Sequence, residues 1–441
     1  MASFLGMRGT GDWVTNQRPE NWREGILKLY PEGMSPLTAI MSKLRSEVTD
    51  DPTIHYWTRT LPTQRATVTG VWTNTNLSSA YASGGTAGQV LYLQMAAADL
   101  QHFKEGHVVT LRDGGTSTRN PNPRLDTNGR VTGLLSNGAS SYISVRLLEA
   151  DDNDSANSNH LNDCNVVWVT GSAYAQGADT PTALQYNPTE VTNRTQIFRT
   201  ALEATGTALN TRLRTGPVLK QMTEDALEMH GIELEKATFF SVNTTGTGEN
   251  GKPLNTMMGI FEFIRTYSAA NMLDWQSATG YSAPLTWIAA SGGQKWLNES
   301  LEQIARYANL SSLMAFCGSG ALLGLNRLAF AGGQIQLQPT SASYGLKVTN
   351  WVTPFGTLPL MTHPLLSLEA TTRNRIVIVS PRDMIWRPMK NRDTHFRPDP
   401  RKEREAGPDR TLSEFLTEAT MEYRFAERWG VLDGVGLDLT I

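Results

Sequence analysis

The stretch GPVLKQMTEDALEMHGIELEKATFF, residues 216–240, constrains the fold more than any other. Leu219, Met222, Ala226 and Met229 recur at helical spacing, Leu227 and Leu234 widen that stripe, and charged residues fill the opposite side, which predicts an amphipathic helix. Gly231 lowers helicity without ending the pattern. At ~1.5 Å per residue the helix runs about 30 Å, long for one domain. Beside long β segments it points to an extended molecule rather than a compact enzyme.

The chain before it has a different texture. Residues 53 to about 210 are poor in helix signals and rich in Thr, Val, Trp, Gly and Asn. TIHYWTRTL alternates Ile54, Tyr56 and Thr58 against His55, Trp57 and Arg59, a strand pattern with bulk on both faces. KEGHVVTLRD, GRVTGLL, SSYISVRLLEA and CNVVWVTGSA are short strand candidates parted by turn clusters, and predict a small antiparallel β unit at about 98–172. Residues 1–52 read as an arm: Leu37, Ile40, Met41 and Leu44 recur at helical spacing, and Pro31 and Gly33 divide two short helices. Such an arm cannot bury its apolar face alone, so it must pack on the body or on a neighbouring chain.

Beyond the long helix, elements mix. LTWIAA predicts a strand, GGQKWLNESLEQIARYA a helix with Leu297, Leu301, Ile304 and Ala308 inward, and GSGALLGLNRLAF another helix. GQIQLQ, GLKVTNWVTPFGTLPLMT and RIVIVS predict strands. Near the end, Thr411 and Glu414 suit a helix capping box, while Met421, Tyr423 and Phe425 alternate as in a strand.

At 441 residues the chain has room for two to four compact units. Its 39% hydrophobic and 18% charged residues describe a globular protein with loops, not a disordered one. A net charge of −3 and a pI near 6.2 argue against a dedicated nucleic-acid binder. Cys164 and Cys317 are the only cysteines, which excludes a disulfide framework and suits a reducing compartment. No signal peptide pattern opens the sequence and no run is apolar for long enough to cross a bilayer, so a soluble, cytoplasmic protein is expected.

Candidate chemistry is sparse. In SVNTTGTGENGKPLNT, Gly246, Gly251 and Lys252 stand at phosphate-loop spacing, and Gly246, Gly248 and Gly251 spell a dinucleotide fingerprint. The residue after Lys252 is Pro253, which has no hydroxyl for Mg²⁺, and little helical pattern follows. A polar surface loop is the better reading. DDNDSANSN, residues 151–159, has carboxylates for calcium but lacks the Gly and closing Glu of the helix–loop–helix site. His55, His102, His107, His160, His230, His363 and His395 are scattered, and His102 and His107 have no third ligand in reach. Cys317 in AFCGSGA is read as a core thiol rather than a nucleophile. Arg382, Arg387, Lys390, Arg392, Arg397, Arg401, Lys402 and Arg404 interleave with Asp383, Asp393, Asp399, Glu403 and Glu405, as in a solvated loop or in salt bridges between subunits. No catalytic, cofactor-binding or metal site is assigned, and no enzyme is expected.

Four stretches in order carry a resemblance: REGILKLYPEGMSPLTAIMSKL; TNRTQIFRTALEATGTA before LKQMTEDALEMHGIELEKATFF; FCGSGALLGLNRLA before SYGLKVTNWVTPFGTLPLM; and TEATMEYRFAERWGVLDGV. Together they resemble the major capsid protein of tailed bacteriophages, whose fold is shared with the herpesvirus shell protein. The resemblance implies an α+β capsid fold with an N-terminal arm (1–52) reaching over adjacent subunits and an extended β arm (53–210) holding the β-rich insertion at about 98–172. It implies a peripheral domain with a long spine helix (211–254), an axial domain (255–365) and a return to the peripheral domain (366–441). The function implied is self-assembly, as hexamers and pentamers, into the icosahedral head around double-stranded DNA. Many copies of itself are the main partners, with cement or decoration, scaffolding and portal proteins beside them, weak non-specific contact with DNA, and no membrane. The location is the virion, after a stage in the host cytoplasm. Hexamers and pentamers are ring contacts between unlike surfaces, and extended arms can bury well over ~2,000 Å² per subunit. The Thr, Asn and Trp content also suits a β-rich virion adhesin or carbohydrate-binding protein, and Gly246–Lys252 a nucleotide enzyme.

Overall fold

The computed structural model describes residues 37, 45–59, 62, 64–113, 126–151, 161–213, 216–279, 281, 286–288, 292–332, 336–343, 346–398 and 409–438. Arg59–Thr189 is one compact unit, and the chain on either side of it makes the other. Helices and strands mix in the α+β manner expected.

Strand β1 (Thr53–Thr58) precedes the inserted unit. There β2 (Arg65–Trp72), β3 (Val90–Met95), β4 (His107–Asp113), β5 (Asp126–Leu135), β6 (Tyr142–Leu147) and β7 (Cys164–Ser172) close into a barrel, in the order β2-β3-β6-β5-β4-β7. Alternation in VLYLQM turns Leu91, Leu93 and Met95 inward, where Val109, Leu111, Val131, Ile143, Val145 and Val167 meet them. At Gly129 a Cβ would come within 2.3 Å of Val145, so the wall is too close there for any side chain. Closure leaves the barrel no edge strand on which another chain could add. The unit is antiparallel, as expected, but it starts with β2 at Arg65 rather than near 98. A bulge between Val68 and Gly70 breaks the period of two, so Val68 and Val71 both face inward and the alternation that marks a strand is lost.

The second unit resumes with β8 (Thr189–Arg194), which pairs with β1, and then β9 (Gln196–Thr205). The long helix follows as α1 (Val218–Phe240), 23 residues, entered through Gly216 at φ +120° and Pro217. Next come the hairpin β10 (Thr244–Thr247) and β11 (Pro253–Thr256), α2 (Ile260–Tyr267), β12 (Met272–Asp274), α3 (Gly292–Ala305), β13 (Met314–Cys317) and α4 (Ser319–Gly332). The meander β14 (Gln336–Ser343), β15 (Leu346–Thr353) and β16 (Gly356–Thr362) leads to α5 (Pro364–Leu368) and β17 (Ile376–Val379). The chain ends through β18 (Met384–Pro388), β19 (His395–Arg397), β20 (Arg410–Tyr423) and β21 (Gly430–Asp433).

One sheet has seven strands in the order β12-β21-β17-β13-β16-β15-β14. Met314, Phe316, Val377, Val379 and Val431 face a core shared with Phe239, Ile260, Phe263 and Trp429. Their neighbours Ala315, Cys317, Ile376, Ile378 and Leu432 face the other core, with Trp296, Leu297, Leu301, Ile304 and Leu325 from α3 and α4. Burial on both faces is why MAFC and IVIV read as unbroken apolar runs. Trp287 belongs to the second core: it is fully buried, its indole N–H donates to the Gly324 carbonyl at 2.8 Å, and residues 286–288 form no strand, contrary to the expectation for LTWIAA.

In the other large sheet β20 is central. Along one edge it pairs with β9, from Arg410 opposite Thr205 to Ala419 opposite Gln196, and β18 and β19 share its other edge. Thr411 and Glu414 therefore lie inside a 14-residue strand, and the expected capping box does not form. Pairing with β9 occupies the backbone that a helix there would need.

Candidate assembly surfaces and their anchors

Helix α1 lies on the face of β9 and β20 that carries Phe198, Leu202 and Phe415. Its buried line runs Ala226, His230, Leu234, Thr238, in steps of four, with Glu235 and Phe239 beside it. Met229, expected in the stripe, is 57% exposed, and Leu219 and Leu227 also face solvent. The correction has a simple cause: three of the inward residues are polar, His230 and Glu235 satisfied by partners distant in sequence and Thr238 Oγ1 by the Leu234 carbonyl one turn back, which apolar periodicity cannot register.

A directional hydrogen-bond chain accounts for His230. Thr200 Oγ1 donates to Glu233 at 3.2 Å, so it accepts from His230 Nδ1–H at 2.9 Å; His230 Nε2 then accepts from Thr417 Oγ1–H at 2.7 Å. The imidazole is neutral in this arrangement. Burial lowers its pKa from the ordinary value, against a smaller upward pull from Glu233.

Further along, Glu235 Oε1 meets His363 Nε2 at 2.7 Å, with both side chains fully buried, and accepts the Leu37 backbone N–H at 2.7 Å. The Leu365 N–H donates to His363 Nδ1 at 3.2 Å, which leaves the ring proton on Nε2, pointing at the carboxylate. Leu37 itself enters the core beside Phe239 and Phe316. A second anchor holds residues 45–49 against β18: Trp386 N–H donates to the Arg45 carbonyl, and Glu47 and Thr49 N–H donate to the Trp386 and Pro388 carbonyls. Arg387 bridges Glu47 at 2.6 Å and buried Glu422 at 2.5 Å, and Arg424 grips Glu422 from its other oxygen. Tyr56 closes the junction: its hydroxyl donates to the Tyr423 carbonyl at 2.6 Å and accepts the Tyr423 N–H at 3.2 Å. The N-terminal segment is thus tied down at discrete polar points; Ile40, Met41 and Leu44 lie outside the described residues.

The residues singled out for chemistry do not converge. Gly246, Gly248, Gly251 and Lys252 form an exposed hairpin, and Pro253 opens a strand where a phosphate loop would begin a helix. His102 stacks on Tyr186, while His107 Nδ1 accepts the Lys104 N–H at 3.4 Å. His55 meets Glu190 at 2.7 Å on the surface, and His395 contacts the Asp393 carbonyl. Among the described residues no three His, Cys, Asp or Glu side chains gather as metal ligands; His160 and all of 151–159 except Asp151 lie outside them. Cys317 is fully buried and desolvation pushes its thiol up to about 12, the state of an inert core thiol.

The mixed charges near the C-terminus pair within the chain. Arg387 takes Glu47 and Glu422, Arg392 takes Glu418, and Arg397 takes Glu414. These three stitch segments of one chain together and do not lie in an unpaired solvated loop; Asp399, Arg401, Lys402, Glu403, Arg404 and Glu405 lie outside the described residues. What the surface does offer is large apolar side chains in water: Leu227 and Met229 on α1, Leu254 on the hairpin, Leu323 and Phe330 on α4, and Leu368 on α5.

A family model described as SU10 major capsid protein matches residues 7–436. A relative named major capsid protein, from Pseudomonas phage PaMx41, is 25% identical over 358 residues, covering 80% of this chain and 75% of its own length. Among solved structures the chain is similar to one from Mycobacterium phage Bobi, at 8% identity and a TM-score of 0.43, over 96% of this chain and 97% of that one. It is also similar to one from Microbacterium phage Oxtober96, at 10% identity and a TM-score of 0.42, over 94% and 96%.

Proposed function

We propose a division of labour for a chain that belongs to the SU10 major capsid protein family and is a phage major capsid protein, part of a virion shell made of many copies of itself. The match over residues 7–436 carries this reading. Hexamers and pentamers of the chain close an icosahedral head around double-stranded DNA. Residues 1–52 act as the N-terminal arm over adjacent subunits, and residues 53–210 as the extended β arm that bears the barrel. Residues 211–254 and 366–441 form the peripheral domain with α1 as its spine, and residues 255–365 the axial domain near the capsomer centre.

The physical support is the contrast between anchors and surfaces. Leu37 and residues 45–49 are fixed by buried or bridged polar groups, which gives an arm a firm root from which to reach a neighbour. Large apolar side chains stay in solvent on the subunit, and rings of unlike surfaces supply what covers them. The net charge of −3 suits weak, non-specific contact with packaged DNA, since tight binding needs many uncompensated cations. The chain performs no catalysis of its own. It assembles in the host cytoplasm with scaffolding, portal and cement or decoration proteins as further partners. The test is deletion of residues 1–30: the subunit stays soluble and folded but closes no particles, whereas intact particles from the shortened chain contradict the role of the arm.

A further inference from the structure

Helix α4 buries Ala321, Leu325 and Leu328 and turns Leu323, Arg327 and Phe330 outward along one line. Leu323 is 53% exposed and Phe330 84%, more than any other large apolar side chain among the described residues. Leu368, on the neighbouring α5, is 64% exposed. Beside Leu323 opens a cavity of about 350 Å³ lined in part by Arg327, Arg373, Asn374 and Leu437. Part of its wall is backbone against backbone: a Cβ on Gly324 would come within 2.5 Å of the Gly436 Cα. A wall with so little room to shift gives the cavity a fixed shape before anything enters it.

The charges around it are uncompensated. Among the described residues neither Arg327 nor Arg373 has an ion-pair partner. Arg387, Arg392, Arg397, Arg410, Arg424 and Arg428, by contrast, each hold a carboxylate. Two free guanidinium groups beside exposed Leu and Phe call for a carboxylate set in apolar surface. A nucleic-acid backbone would meet the cations and leave Leu323, Phe330 and Leu368 against phosphate and water, so a protein partner fits the whole face better.

We infer that the outer face of α4, with the Arg327–Arg373 cavity at its side, seats an acidic, apolar patch of a second copy of this chain. The inference rests on the capsid reading, which makes other copies the obligatory neighbours. A ring contact joins two unlike patches of one chain, so the complement must also lie on this chain. It carries suitable chemistry: Glu224, held only by a loose 3.9 Å contact with Lys220 on the solvent side of α1, stands beside exposed Leu227. Opposite charge fixes the register of such a contact, and the desolvated Phe330 and Leu323 hold it.

The experiment uses thiol labelling of the full chain. Cys164 and Cys317 are both buried, so Phe330→Cys adds a single reactive thiol. Its maleimide labelling falls about tenfold when subunits assemble into particles, as for a residue sealed inside an interface. Leu323→Cys, at a second exposed site, gives the same readout should the first variant fold poorly. The double reversal Arg327→Glu with Arg373→Glu lowers particle yield about tenfold while the unfolding midpoint of the subunit stays put. Equal labelling of subunits and particles overturns the inference, as does full assembly of the double reversal. Protection found only in native virions, and not in particles of this chain alone, assigns the face to another protein and overturns it too. Should the unmodified chain form no particles, the capsid reading fails first; particles with an unprotected position 330 sink this inference alone.

Discussion

His363 Nε2 and Glu235 Oε1 lie 2.7 Å apart with neither side chain exposed, one from the start of α5 and the other from the last third of α1. A carboxylate removed from water must be satisfied where it sits. The His363 ring N–H and the Leu37 backbone N–H both point to the same oxygen. The pair therefore joins three distant parts of the chain: helix, sheet body and N-terminal segment.

Replacing His363 by Ala leaves that carboxylate short of a donor and costs about 3 kcal/mol, the usual consequence of breaking a buried pair from one side. Glu235→Gln keeps the shape and an acceptor and costs about 1 kcal/mol. Urea unfolding of assembly-free subunits, followed by tryptophan fluorescence, measures both. Losses below about 0.5 kcal/mol for His363→Ala would show that the pair is not needed for stability.

The face of α1 gives a paired test. Leu234 is buried and Met229 faces solvent, so Leu234→Asp lowers subunit stability by about 3 kcal/mol or more, whereas Met229→Asp stays within about 0.5 kcal/mol. Equal losses would mean that the helix is turned the other way.

This is also where reading the sequence stopped short. The helix was legible because apolar residues recur through 219–234, and α3 because Leu297, Leu301 and Ile304 repeat on its inner side. The strand in RIVIVS was equally plain, whereas MAFC was not read as one. His230 and Glu235 were hidden because their partners Thr200, Thr417 and His363 lie between 30 and 187 positions away, and Thr238 because its hydroxyl is satisfied within the helix by the Leu234 carbonyl. The bulge at Val68–Gly70 hid the first barrel strand, and the pairing of β9 with β20 overrode the local capping pattern at Thr411. The phosphate-loop spacing at Gly246–Lys252, read as a polar surface loop, has a plain cause: a short turn needs glycine for backbone freedom, and Gly251, at φ +70°, supplies it.

His230 sets a pH dependence whose sign can be worked out. Burial lowers its folded pKa below the ordinary 6.5. Below about pH 6.5 the unfolded chain then binds a proton that the folded one refuses, so stability falls as the solution is acidified through that range and is whole above it. His107, also lowered by burial and by Lys104, adds in the same direction in the barrel. His230→Gln, which can still bond Thr200 and Thr417, flattens the part of the slope that belongs to the second unit. An unchanged slope between pH 5 and 7, measured by urea midpoints, would remove His230 from the account.

The barrel has its own closed sheet and its own core. A fragment of residues 59–189 folds alone and unfolds in one cooperative transition by near-ultraviolet circular dichroism, and Val145→Asp abolishes that transition. A fragment without cooperative unfolding would mean that the barrel depends on the rest of the chain.

The shell reading itself is tested most directly by electron microscopy of the purified full-length chain across a range of concentrations. The account predicts rings of five or six subunits and closed shells as concentration rises. A monodisperse monomer at every concentration, with the full chain intact and folded, would contradict it.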